Sequence, residues 1–128
     1  MSEHPNATVV RRMFDALAAR DMESMSDTLA DDVVWHEIGN PEPVRGKAAL
    51  AARFGGGGAA APDFTITGET HDVVANDDHT VALLTATATR AGRTLTYRVA
   101  EIYHIRDGKI IERWAFSDDT AAIAEFFA

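Results

Sequence analysis

The stretch RTLTYRVAEIYHIRDGKIIERWAF, residues 93–116, decides the fold. Its first half alternates. Leu95, Tyr97, Val99, Tyr103 and Ile105 fall on one side of a strand, with Glu101 among them, and Thr94, Thr96, Arg98, Ala100, Ile102 and His104 on the other. A period of two in Thr, Val, Ile and Tyr marks a strand. Arg106-Asp107-Gly108 is a hairpin turn of the Asp-Gly type, so KIIERWAF returns antiparallel. Upstream, TVALLTATATR (80–90) and DFTITGETHDVVA (63–75) repeat the pattern, set off by Ala91-Gly92 and by Asn76-Asp77-Asp78-His79. The C-terminal half therefore reads as a four-stranded meander, followed by an amphipathic helix, TAAIAEFF (120–127).

The N-terminal half has a different period. In ATVVRRMFDALAA (7–19), Val9, Val10, Met13, Phe14 and Leu17 form one helical stripe, with Asn6 as its predicted N-cap. Asp21 is predicted to cap a second helix, MESMSDTL (22–29), which Asp31-Asp32 should end. A strand is expected at residues 33–38, then a proline-broken loop, then a third helix, KAALAARF (47–54). The run GGGGAAAP (55–62) reads as a connector, with a ligand lid hinged on its glycines as the alternative. Helices segregated against a mostly antiparallel sheet define an α+β fold, here expected as a single domain over residues 1–128.

Composition narrows the function. A net charge of -8 argues against nucleic acid, whose binding needs a basic face. With no cysteine there is no disulfide framework, thiolate metal site or cysteine nucleophile. The five histidines form no helical i, i+4 pair and no His-x-His on a strand, so no metal is expected. The N-terminus lacks the basic start and apolar run of a signal peptide, and no segment approaches the roughly 20 apolar residues of a membrane span. A cytoplasmic protein without membrane contact is expected.

Three segments carry a family resemblance: FDALAARDMESMSDTLADDVVWHEIG (14–39), Val44-Arg45-Gly46-Lys47 with Ala48-Ala49-Leu50, and YHIRDGKIIERWAFSDD (103–119). Together they resemble the SnoaL-like and ketosteroid isomerase branch of the nuclear transport factor two-like superfamily. The resemblance implies a cone-shaped barrel of curved, mostly antiparallel sheet wrapped around N-terminal helices and enclosing one apolar pocket. It also implies a homodimer through the sheet, a small apolar molecule as ligand, and no cofactor.

The same resemblance selects candidate site residues. Steroid isomerases carry a general base late in the first strand, and an ungapped comparison puts Glu37 there, with His36 beside it. Their oxyanion donors are missing, since Met13 stands at the tyrosine position and Arg98 at the acidic one, so steroid isomerisation is not expected. SnoaL-type cyclases place an acid about four residues after a tryptophan, which selects Asp118 after Trp114. The alternative is that Asp118 or Asp119 caps the last helix. Alternation would place Trp114, Phe116 and Asp118 on one inward face. The epoxide-hydrolase triad is absent in its usual form, because Arg98 has Ala100 two residues on.

The catalytic candidates are thus Glu37, Asp118 and His36, with Trp35, Phe14, Met13, Arg98, Tyr103, Trp114, Phe116 and Phe54 lining the pocket. Two readings of residues 93–105 conflict. Apolar alternation buries Glu101 among aromatics, where a carboxylate needs a partner and becomes an acid–base candidate. The resemblance turns Arg98 inward instead, and the expectation follows it. Strand alternation also separates His36 from Glu37, so only one of them can face a pocket. The expected function is carboxylate acid–base catalysis of the isomerase, cyclase or hydratase type on an apolar oxygenated molecule. The alternative is a non-catalytic binding or dimerisation module on the same fold.

Overall fold

The apolar stripe near the N-terminus forms α1 (Pro5–Ala18) in the computed structural model of the chain, which describes residues 3–54 and 62–128. Val10 and Met13 are fully buried, and Phe14 and Leu17 pack partly buried on the same core. The cap is His4 rather than Asn6. Its Nδ1 accepts from the Asn6 amide at 3.1 Å, and Pro5 takes the first helical position, where a missing N–H is harmless. The other ring nitrogen bonds Asp77 at 3.1 Å and ties the start of α1 to a distant turn.

Asp21 caps α2 (Met22–Asp27) as expected, accepting from the Ser24 amide at 3.1 Å and from its hydroxyl at 2.6 Å. That helix ends early. β1 (Leu29–Trp35) begins almost at once, so Asp31 and Asp32 lie exposed inside a strand, and the strand stops before residues 36–38. A two-residue strand absent from the sequence reading, β2 (Val44–Arg45), pairs antiparallel with the end of β1 and leads into α3 (Lys47–Arg53).

The meander forms as the alternation predicts: β3 (Phe64–Ala75), β4 (Thr80–Arg90), β5 (Arg93–Arg106) and β6 (Lys109–Ser117), then α4 (Thr120–Phe126). Ala91-Gly92 and Asp107-Gly108 each hold two successive positive φ angles, the type I′ geometry that suits twisted hairpins. Strand order is β2-β1-β6-β5-β4-β3, antiparallel except where β1 runs parallel to β6.

This curved sheet does not close, because β2 and β3 stand at opposite edges. α1 packs on β3 and β4, and α3 on β1. The glycine run at 55–61, and with it the lid reading, lies outside the described residues. Among the described residues no helix is long and apolar enough to cross a membrane. The inner face is apolar along β4, with Ala82, Leu84, Ala86 and Ala88 buried. Its centre is polar, and that centre is the candidate site.

Candidate functional site

The direction of the β6 side chains is set by one extra residue. Ile105 pairs with Ile110 and His104 with Glu112, which leaves Ile111 as a β-bulge. The bulge reverses the alternation, so Ile110 and Arg113 both turn inward while Trp114, Phe116 and Asp118 turn out. The register then lines up Thr80, Tyr103, Arg113 and Trp35 across four neighbouring strands. Glu101 lies two residues from Tyr103 on the same face of β5 and is 6% exposed.

These side chains form one connected cluster. Arg113 Nη2 donates to Glu101 Oε1 at 2.6 Å, and the Tyr103 hydroxyl donates to Glu101 Oε2. Arg113 Nη1 donates to the His36 carbonyl at 2.8 Å, and the guanidinium lies over the Trp35 ring, 4.6 Å from its centroid. Tyr103, fully buried, stands edge-on to Trp35 and to Phe14. Two buried polar atoms, Arg113 Nε and Thr80 Oγ1, have no hydrogen-bond partner among the described residues.

The electrostatics follow from burial and proximity. Burial, reinforced by the adjacent Glu101 charge, pushes the Tyr103 phenol well above its ordinary value, so it is a neutral donor. Burial also raises Tyr97, against the pull of Arg113 and with a smaller push from Glu101. For Arg113, burial works against the charge, but Glu101 and then Tyr103 outweigh it and hold the guanidinium protonated. The arrangement provides a buried carboxylate, a phenol O–H, and a fixed cation with one N–H unpartnered among the described residues.

Of the residues expected at the pocket, Trp35, Phe14 and Tyr103 meet at this cluster. Met13 is buried in the same core, and Phe54 packs partly buried against it. The inward placement of Arg98, Trp114, Phe116 and Asp118 is corrected. Arg98 and Asp118 are exposed, Phe116 is 57% exposed, and the bulge turns the β6 residues over. Asp118 Oδ1 accepts from the Arg98 amide at 3.1 Å, and Asp119 caps α4 through the Ala122 amide at 3.0 Å.

Glu37 lies past the end of β1, is half-buried and pairs with Arg53 at 2.9 Å, and it makes no hydrogen bond to Glu101, Tyr103 or Arg113. His36 turns outward, stacks on Trp114 and bonds Glu112 at 2.8 Å. On β5 the apolar alternation is the reading that holds: Glu101 faces in and Arg98 out. Arg113 was missed, since a plain reading of KIIERWAF gives the inward side to its apolar residues. Among the described residues no group of three or more His, Asp or Glu could hold a metal.

A curved, open sheet wrapped on its N-terminal helices, with polar groups set into the concave face, is the arrangement of nuclear transport factor two-like proteins. Within that superfamily the chain belongs to the SnoaL-like domain family, whose model matches residues 10–113. It is 33% identical to an uncharacterized protein of Mycobacterium tuberculosis strain H37Rv, with both chains covered in full. Among solved structures it is similar to Bal32a from a soil-derived mobile gene cassette (TM-score 0.83, 23% identity, 97% of each chain). It is also similar to an LEH-like epoxide hydrolase of M. tuberculosis (TM-score 0.75, 18% identity, 95% of this chain and 89% of that one). At such identities the two structures speak for the fold alone.

Proposed function

We propose that the chain is a small-molecule enzyme in which Glu101 is the general base, acting on an apolar, oxygenated substrate with Arg113 and Tyr103 as partners. The observation that carries this reading is the buried Glu101 carboxylate, held by Tyr103 and Arg113 while Arg113 Nε–H has no partner among the described residues. Structural ion pairs are also buried, but they stabilise best when every polar atom is matched, and among the described residues one donor here is not.

The chemistry follows from charge balance. A substrate proton passing to Glu101 leaves a carboxylic acid and a substrate oxyanion. The guanidinium that was neutralised by Glu101 is then free to face that anion. Charge is displaced by a few ångströms in a dry site instead of being created there, which is the condition under which preorganised groups are most effective. Returning the proton to another atom completes an isomerisation or cyclisation; in a hydration Glu101 takes its proton from water instead, the hydroxide forms a C–O bond as the ring C–O bond breaks, and the proton passes to the released oxygen. Trp35, Phe14 and Tyr103 supply the apolar wall.

The test is a panel of small enones, aryl ketones and epoxides, screened by ligand-observed NMR and then followed by mass spectrometry for conversion. Turnover should fall by about 10²-fold or more in Glu101→Gln, the usual loss when a positioned acid–base group is removed. Undiminished turnover in that variant would sink the assignment. Binding of panel members without conversion by the wild type would favour the non-catalytic reading, which the mutual pairing of Glu101, Tyr103 and Arg113 supports. We further propose a homodimer through the outer sheet face, where Val74, Leu83 and Phe116 are 52%, 44% and 57% exposed. Light scattering should give twice the chain mass for the wild type and the chain mass for Phe116→Arg. A monomeric wild type refutes the dimer.

A further inference from the structure

We propose that His36 is the positioning residue for Arg113, and that protonation of its ring on the outer face sets how firmly the guanidinium is held inside. The proposal rests on Arg113 belonging to the working interior, and its test is read without turnover.

Three consecutive residues of β6 grip His36. Its amide donates to the Arg113 carbonyl at 2.9 Å, and its own carbonyl accepts from Arg113 Nη1 at 2.8 Å. Its ring Nε2 meets Glu112 Oε2 at 2.8 Å and lies flat on Trp114, with centroids 5.2 Å apart and planes 6° from parallel. The ring is on the outer face and the carbonyl serves the inner one. β1 ends at Trp35, and among the described residues the His36 carbonyl has no partner except Arg113. Its direction is therefore tied to the anchorage of the ring. A ring freed from Glu112 leaves His36 with fewer contacts, so the carbonyl that holds Arg113 Nη1 is less firmly placed, and the other end of that guanidinium holds Glu101.

The charged and titratable neighbours come from every side. Glu112 approaches from β6. His104 of β5 lies 4.0 Å from the other Glu112 oxygen, and His79 of the β3–β4 turn stands edge-on to His104 at 5.1 Å. Glu37, next in sequence, is held by Arg53 of α3, and the Arg113 guanidinium lies beyond the backbone. Histidine side chains change charge between about pH 5 and 8. A protonated ring turns the hydrogen bond to the Glu112 carboxylate into an ion pair and adds a Coulomb attraction that a neutral ring lacks. Losing the proton therefore loosens the strut while the fold remains.

The experiment follows two signals across about pH 5 to 8 in ¹⁵N-labelled protein, a range chosen because histidines titrate in it. These are the Arg113 Nε–H resonance, assigned with Arg113→Lys, and the His36 ring resonance. The two should move with one midpoint, the Arg113 signal should be flat in His36→Gln, and its shift should persist in His104→Gln. An Arg113 signal that stays still while His36 titrates overturns the proposal, as does one that still titrates in His36→Gln. Should His36→Gln fail to fold, Glu112→Gln takes its place: it removes the charge but keeps a hydrogen-bonding group, and must shrink the Arg113 shift. An undiminished shift is the opposing result. Turnover surviving in Glu101→Gln would end the catalytic reading and leave this measurement unaffected.

Discussion

Glu101 and Arg113 can be removed one at a time or together, and the comparison separates a pair kept for chemistry from one kept for stability. Their side chains are 8% and 11% exposed, so solvent screens them little. Orphaning one member of such a pair costs about 3–5 kcal/mol. Glu101→Leu leaves the guanidinium unpaired and also strips the Tyr103 hydroxyl of its acceptor, adding about 1 kcal/mol or more. Arg113→Met should cost about 3–5 kcal/mol by the same reasoning. In Glu101→Leu/Arg113→Met no charge is buried, and what is left over is the Tyr103 hydroxyl, for about 1–3 kcal/mol, and the part-buried His36 carbonyl, which Arg113→Met alone leaves over as well. The double variant should thus be more stable than either single one. Urea unfolding followed by tryptophan fluorescence measures all four proteins, with Trp35, under the guanidinium, as one reporter. A double variant destabilised by the sum of the two single effects would refute the coupling and the claim that the pair is not there for stability.

Alkaline titration offers a second check. The chain has two tyrosines, and both are raised in the folded state, so tyrosinate absorbance should develop at higher pH in native than in denatured protein. By linkage, the unfolded chain releases its phenolic protons first, at about pH 10. Stability present below that pH is lost as the pH rises toward the folded values, and Tyr103→Phe should flatten the decline. Gly39 and Gly92 both sit at positive φ, but a Cβ on Gly39 would meet the Ala124 Cβ at 3.1 Å, while one on Gly92 meets nothing within 4 Å. Thermal denaturation should show Gly39→Ala losing more than the roughly 1–2 kcal/mol of left-handed strain expected for Gly92→Ala. Asp119→Ala, which removes the α4 cap, should cost about 1 kcal/mol, and a loss of α4 signal by circular dichroism should accompany it.

The architecture was largely legible in the sequence because both periodicities are strong. The stripe from Val9 to Leu17 and the alternation in residues 63–116 name a helix and four strands without reference to any relative. The site was legible in part. Burial of Glu101 follows from the alternation in RTLTYRVAEIYHI, and the family comparison that turned Arg98 inward outweighed it wrongly. Arg113 was hidden for a physical reason. A single inserted residue, Ile111, inverts every side chain after it, and nothing local distinguishes KIIERWAF with a bulge from KIIERWAF without one. The strand expected to run to residue 38 ends at Trp35, so alternation does not carry on to Glu37.

The parallel pairing of β1 with β6 has a consequence for the order in which the molecule assembles. β3 to β6 are joined by tight turns and can zip together through nearby contacts, whereas the contact between His36 and Arg113 spans 77 residues of chain. Closing so long a loop is slow, so the meander should form before the N-terminal segment docks. The ion pair of Glu101 and Arg113 is then built on a half-open sheet, and Trp35 arrives last to cover it. A segment that docks last in this way should also open first in the native state. In hydrogen exchange the amides of Val34, Trp35 and His36 should exchange ahead of those in β4 and β5, and equal protection across the sheet would contradict this order. Access to the interior would then be governed by the breathing of one short strand.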